Sequence, residues 1–442
     1  MALGGGLWFT QNKKLPGSYI NFISVASASS ALSERGIVAI GVPLDWGVDG
    51  EIMTLTNADI QKDSMKLFGY EYTNEKLKGI RDLFRHAVTA FVYKLNSNTA
   101  GGKAQSKHAT AKCAGTRGNS LSIRIAKNAD DSAKWDVMTY LAGTLVDSQT
   151  VTAATDLVDN DFVTFKTSEA LAATAGLPLT GGTDAAVTVA NHQAFLDKIE
   201  SYTFNAIGAV NDETADGAIK INALYAAFVK RMRDEMGVKF QAVLYNHAAD
   251  YEGVVNVKNA VVDSGWSAAS LVYWVTGVIG GVAVNASALN MAYDGEFTVN
   301  VDYTQTQLER CIDAGEFTLH KVGADIRVLN DQNSLVTTSV DKNELFKQNQ
   351  TIRVIDNIAN DIATIFNTKY LGQIPNDDEG RVSLWADIVA HHQELQRIRA
   401  IQDFEEDDVV VSAGTERAAV VVNDAVTPVN AMAKLYMTCV VQ

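Results

Sequence analysis

The stretch from Phe204 to Tyr245 constrains the fold of this 442-residue chain more than any other. Phe204 to Val210 reads as an apolar strand, and Leu224, Tyr225, Phe228, Val229 and Met232 then recur at the spacing of one helical face. Phe240 to Tyr245 is apolar again. Strand, helix and strand in that order predict a parallel βαβ unit, because parallel neighbours need a long crossover and a helix with one apolar stripe covers the sheet as it crosses. Gly253 to Val257 and Ser267 to Ala283 continue this α/β domain. Gly36 to Val42, closed by Pro43, predicts a further buried strand, with a turn at Trp46-Gly47.

From about Ala90 to Pro178 the texture changes to short alternating runs between Ser-, Thr-, Gly- and Asn-rich turns. Leu121 to Ile125 (LSIRI) sets Leu121, Ile123 and Ile125 on one face and Ser122 and Arg124 on the other. The stretch predicts an all-β insert that ends near Pro178 and Gly181-Gly182. Beyond Asp341 two amphipathic helices follow. The first carries Ile352, Ile355, Ile358, Ile362, Ile365 and Phe366, and the second Leu384, Ile388, Leu395 and Ile398. Between them, Asn376 to Gly380 is a turn cluster that supplies acidic residues to the second helix's amino end.

The two ends of the chain differ from the body. Ala431 to Gln442 alternates with period two, so Ala431, Ala433, Leu435, Met437, Cys439 and Val441 share one face. Arg417 to Val422 is the nearby segment available to pair with it, and a strand left unpaired invites another chain. At the other end, Gly4-Gly5-Gly6 and Leu7-Trp8-Phe9 form an arm that precedes an extended run, Tyr19 to Val25. Large aromatics on such an arm predict anchoring in a neighbour's pocket; the alternative is an arm folded back on its own subunit.

The net charge of −15 argues against nucleic acid as a partner, since the field repels phosphate. Cys113, Cys311 and Cys439 are few, odd in number and far apart, which predicts no disulfide framework and no zinc site. The amino terminus lacks the basic start and apolar run of a secretory signal, so export by that route is not expected. Ser264 to Tyr293 contains no charge and is long enough to span a bilayer. Its serines, asparagines and central glycines, and its bounds at Asp263 and Asp294, instead predict a buried helix with a loop and no membrane insertion.

A series of short matches runs nearly end to end: Pro16 to Tyr19, Arg35 to Gly47, Gly115 to Asn119 (GTRGN), and Trp274 to Gly281 with Asn285, Asn290 and Tyr293. Tyr303 to Gly315, Tyr370 to Asn376 and Pro428 to Thr438 (PVNAMAKLYMT) complete it. In these the chain resembles the tail sheath proteins of contractile phages, phage-like bacteriocins and defective prophages. The resemblance implies a multidomain α/β fold: a subtilisin-like topology core, an inserted β-sandwich, and a C-terminal α+β domain with extended terminal arms. The expected division is an arm over 1–25, core over 26–92 and 181–340, β-sandwich over 93–180, assembly domain over 341–424 and an arm strand over 425–442.

The resemblance further implies a structural subunit and not an enzyme, one that needs no cofactor. Copies of the chain would stack as hexameric rings around an inner tail tube protein, with baseplate and tail terminator proteins as further partners. The chain would be made in the bacterial host cytoplasm and assembled in a particle tail, where contraction drives the tube through a target cell envelope. Terminal arms would add strands to a neighbour's sheet. That assigns intersubunit contacts to Leu7, Trp8, Phe9, Tyr19, Ile20 and Phe22, and to Met432, Leu435, Tyr436, Met437, Cys439 and Val441.

A subtilisin-like topology makes His247 and Asp250 the place to look for a triad, but no nucleophile motif accompanies them. Asp212, Glu213 and Asp216 follow an apolar strand, where α/β folds bind ligands or metals; the plainer reading is that they cap and charge the next helix. His391-His392 with Glu394 has metal-ligand residue types, yet adjacent side chains on a helix diverge by about 100°. Gly277, Gly280 and Gly281 lie within an apolar helical stretch and read as close packing, not as a nucleotide loop. The competing functions are an α/β hydrolase-type or metal-dependent enzyme, and a surface-array protein, for which an export signal would be expected.

Overall fold

The apolar run after Arg35 forms an interior strand of the largest sheet. The structure is a computed structural model that describes residues 32–97, 102–213 and 220–441. The described chain divides into two units, 34–360 with 428–441, and 32–33 with 361–427. Tyr19 to Val25, which the sequence reads as an extended run, lies outside the described residues.

In chain order the larger unit opens with β1 (Ile37–Val42), β2 (Ile52–Thr56), α1 (Asn57–Phe68), α2 (Lys78–Leu83) and β3 (Thr89–Lys94). The insert holds β4 (Ala109–Ala111), β5 (Leu121–Lys127), β6 (Trp135–Leu141), β7 (Thr144–Val151), β8 (Val163–Phe165) and β9 (Thr174–Pro178). There follow α3 (Val189–Ile199), β10 (Ala206–Ala209), α4 (Asn222–Asp234), β11 (Gln241–Tyr245), β12 (Val254–Val257), α5 (Leu271–Gly281), α6 (Gln305–Asp313), β13 (Glu316–Phe317), β14 (Leu319–Val322), β15 (Asp325–Val328) and α7 (Asn349–Ile365).

Seven strands form one sheet in the order β13-β12-β11-β10-β1-β3-β2, with every pair parallel except the β2–β3 edge. The expected βαβ unit is there: Ala206 pairs with Gln241 and Ala209 with Leu244, and α4 makes the crossover. Both faces are covered, which is why the strands read as continuous apolar runs. Val38, Ile40 and Val42 pack on the α5 side, and Ala39 packs with Phe195, Tyr225 and Phe228 on the α3 and α4 side. Each such side chain contributes about 1.5–3 kcal/mol by leaving water.

The uncharged stretch forms α5, eleven residues enclosed by protein, and no helix among the described residues is long and apolar enough to cross a membrane. Its glycines make room for neighbours. A Cβ on Gly277 would lie 2.3 Å from the Leu83 carbonyl oxygen, and one on Gly281 2.0 Å from that of His86. Arg35 reaches the carboxyl end of α5, donating to the Ile279 and Val282 carbonyls at 2.8 Å each, while the Gly36 amide donates to Gly280.

In the insert, β7-β6-β5-β9 form an antiparallel sheet beside the β4–β8 pair. Leu121, Ile123 and Ile125 are buried against Val137, Leu141 and Phe162, as the alternation predicts. Thr89–Lys94 belongs to the central sheet, where it pairs with β1 along its whole length, so the β insert starts later than the change in composition near Ala90. The GTRGN segment forms the seam. Gly115, at φ 133°, has no space for a Cβ beside the Asp45 carbonyl. The Arg117 amide donates to that same carbonyl, its guanidinium donates to the Gly69 carbonyl, and Trp46 enters the insert's core.

The smaller unit begins inside α7 and contains α8 (Asp378–Arg397), β16 (Ile401–Gln402), β17 (Val409–Ala413) and β18 (Val420–Asp424). Asp377 caps α8 by accepting from the Gly380 amide at 2.8 Å, with Asp378 and Glu379 in the first turn. Leu384, Ile388 and Leu395 are buried. On α7 the pattern is less simple. Ile352 and Ile365 are buried, but Ile355, Ile358 and Ile362 are only half-buried. Its enclosed side carries Arg353, Asp356 and Asn357, because Asp356 takes both guanidinium nitrogens of buried Arg233 from α4.

Candidate assembly site

The terminal segment after Pro428 is rooted on α7. The Thr351 hydroxyl donates to Asn430 Oδ1 at 3.1 Å, and the Ala431 amide donates to Gln350 Oε1 at 2.9 Å. Beyond that point, 432–441 belongs to no helix or strand and makes no hydrogen bond to the described residues. Leu435 is 86% exposed on one side of the alternation and Tyr436 88% on the other; Met432, Met437, Cys439 and Val441 are exposed too. Lys434 is the one charge in this apolar segment. These exposed large side chains form a contiguous apolar surface on the described chain. Arg417 to Val422 does not pair with it: β18 pairs with β17, Val420 opposite Ala413 and Asp424 opposite Val409. Leu7, Trp8, Phe9, Tyr19, Ile20 and Phe22 lie outside the described residues.

The residues with catalytic or metal-binding types are engaged elsewhere. Asp250 Oδ1 accepts from the Val336 and Thr337 amides at 2.7 and 2.8 Å, and these bonds, with the Thr337 side chain foremost, hold its carboxyl below the usual range. The His247 amide donates to Asn256 Oδ1, and its ring stands 4.0 Å from Glu213, not against Asp250. Glu213 accepts from the Asn222 amide at the first residue of α4, the capping role expected of it; Asp216 lies outside the described residues. Glu394 is paired with Arg397 on its own helix. No group of three metal-ligating side chains occurs among the described residues.

One constellation was not anticipated. His391 and His392 are fully buried, and their rings turn toward each other despite the helical divergence, with Nδ1 atoms 3.2 Å apart. His391 Nε2 lies 3.0 Å from Asp361, and His392 Nε2 lies 2.8 Å from Asp424. Asp361 also accepts from the Ser33 amide at 3.3 Å. Two carboxylates about thirty positions away, one on each side, set the ring rotations, and helix periodicity carries no trace of them.

The larger unit is thus a layered α/β body with a β-rich insert, and it ends in an exposed, apolar extension. Four family profiles account for nearly all of the described chain: tail sheath protein Gp18 domain III N-terminal region over 35–95, phage tail sheath protein beta-sandwich domain over 95–184, phage tail sheath protein central domain over 185–334, and phage tail sheath C-terminal domain over 341–442. The chain is 33% identical to the phage-like element PBSX protein XkdK of Bacillus subtilis, covering 98% of this chain and 99% of that one. Among solved structures it is similar to the sheath tail protein of Desulfitobacterium hafniense, with TM-score 0.81, 36% identity, and coverage of 95% and 99%. It also shares its fold with the anti-feeding prophage helical sheath in the contracted state, with TM-score 0.55, 12% identity, and coverage of 96% and 99%. The chain belongs to the phage tail sheath family.

Proposed function

We infer that this protein polymerises through its terminal segments into a sleeve of stacked hexameric rings around an inner tail tube protein, and that contraction of the sleeve drives the tube through a target cell envelope. The observation that carries the reading is the 432–441 segment, apolar, exposed and without a hydrogen-bonding partner among the described residues of its own subunit. A segment in that state supplies backbone donors and acceptors to a neighbouring sheet edge, with alternate side chains setting the register. The antiparallel β17–β18 pair is a two-stranded sheet with two edges, and it supports a role as the receiver. Leu7, Trp8, Phe9, Tyr19, Ile20 and Phe22 would make the corresponding contacts from the other end. Baseplate and tail terminator proteins would bound the sleeve, and the chain would be made in a bacterial host's cytoplasm.

On this reading the work is mechanical, with no catalytic group and no cofactor, and the energy is stored in assembly. The finer architecture, a subtilisin-like core topology with a β-sandwich inserted in it, is supported by the largely parallel seven-stranded sheet and the two β layers after β3. An enzyme reading loses support from Asp250 and Glu213, whose carboxylates are committed to backbone amides. Negative-stain electron microscopy of the purified chain tests the proposal. Hollow, striated cylinders are expected, and a chain that stays monomeric under all assembly conditions would refute it.

A further inference from the structure

The Asp361–His391–His392–Asp424 chain fixes its own proton count. A carboxylate only accepts, so His391 Nε2 and His392 Nε2 each carry a proton donated to Asp361 and Asp424. The Nδ1–Nδ1 contact at 3.2 Å needs one donor and one acceptor, hence one further proton. Three protons on four ring nitrogens make one imidazolium and one neutral imidazole. With both rings neutral there are two protons for three bonds, so either a bare Nε2 lone pair faces a carboxylate or two bare Nδ1 lone pairs face each other. With both rings charged, two N–H groups collide at the centre. Only the singly protonated pair makes all three bonds, and for rings with no solvent exposure an unmade bond costs about 1–3 kcal/mol.

The surroundings leave the count to these four groups. Among the described residues the charges facing the pair are Asp361 from α7 and Asp424 from β18. Phe404 packs on His392 with ring centroids 5.1 Å apart, and β16 and β17 bring buried Ile401 and Val409 to α8. On α8 itself Glu394 is taken by Arg397 and Asp387 by Lys369.

The two carboxylates come from the elements at either end of the smaller unit. Asp361, on α7, also accepts from the Ser33 amide, and Asp424 ends β18, after which the Ala425 amide donates to the Asp408 carbonyl. We propose that His391 and His392 share one proton and that this half-protonated pair positions Ser33 and β18 on α8 for assembly. The positioning role rests on the assembly reading above; the proton count does not.

The test uses the full chain, labelled with 15N-histidine, between about pH 5 and 9, the span in which imidazoles change charge. The NMR spectrum is expected to show one proton shared by two rings across neutral pH. The sedimenting fraction of cylinders is expected to be greatest there and to fall on both the acid and the alkaline side. His392→Gln keeps all three bonds, since its amide donates to Asp424 and accepts from His391 Nδ1–H, yet it cannot take a second proton. It should lose the acid-side fall and keep the alkaline one. His392→Phe, which strands Asp424, should assemble poorly at every pH. Two neutral rings at neutral pH would overturn the proton count. Assembly that ignores pH, or an acid-side fall unchanged in His392→Gln, would overturn the positioning role. A wild-type chain that forms no cylinders at any pH would overturn the assembly reading and with it the positioning role, while the spectrum would still decide the proton count.

Discussion

Leu435→Asp separates folding from assembly most sharply. In the isolated subunit Leu435 is 86% exposed, so the change should cost the fold no more than about 0.5 kcal/mol. Docked in a neighbour, the same position loses about 1.5–3 kcal/mol of side-chain burial. A carboxylate without a partner then adds at least about 2 kcal/mol. Each junction is thus weakened by about 4 kcal/mol, roughly a thousandfold in its equilibrium constant. The penalty recurs at every subunit, so polymerisation should fail abruptly. Lys434→Asp, on the opposite side of the alternation, exchanges one exposed charge for another and should cost about 1 kcal/mol or less. The assay compares the melting temperature of the monomer with the sedimenting fraction under assembly conditions for both variants. Wild-type assembly by Leu435→Asp, or outright unfolding of its monomer, would mean that the segment belongs to its own subunit.

Burial lifts the Asp82 carboxyl from its ordinary 3.8 to about 6, against the opposing bonds from the Glu296 amide and the Tyr293 hydroxyl. Stability from its protonated form is therefore complete below 3.8 and lost as pH rises through 6. Asp82→Asn should gain on the wild type over that window by about 3 kcal/mol and show no advantage at lower pH, as read from urea denaturation at a series of pH values. Gly277→Ala should destabilise by about 1–3 kcal/mol, because its Cβ meets the Leu83 carbonyl at 2.3 Å; an unchanged melting temperature would mean that α5 is held less tightly. Asp356→Ala should cost about 3–5 kcal/mol by stranding buried Arg233, and the paired replacement Arg233→Met with Asp356→Leu should recover most of it, which a double-mutant cycle measures.

Much of the core was legible because its patterns are local. The apolar face of α4, the LSIRI alternation and the acidic start of α8 each depend on residues a few positions apart. What sequence reasoning missed depends on distant partners. The apolar stripe of α7 was plain, yet its other side is enclosed because Arg233 lies more than a hundred positions upstream. Thr89–Lys94 straddles the expected core boundary at 92, and its ladder to β1 runs unbroken across that point. In the assembly site, the alternation after Ala431 marked an extended apolar segment, but the pairing of β18 with β17, which leaves that segment alone, was not visible in either piece. The histidine pair was hidden because adjacency on a helix predicts divergence, and the carboxylates that reverse it come from two other elements.

The place of β1 in its sheet has a mechanical consequence. It has a parallel neighbour along each edge, β10 and β3, and Arg35 and Gly36 fasten its entrance to the end of α5. Tension entering the chain at residue 35 runs along the strand, across the direction of its hydrogen bonds. The rungs on both sides are then sheared together and cannot be peeled off one at a time. Rupture under force follows the rate of unfolding and not the equilibrium margin, so a body only modestly stable at rest can withstand a brief, hard pull delivered through that point.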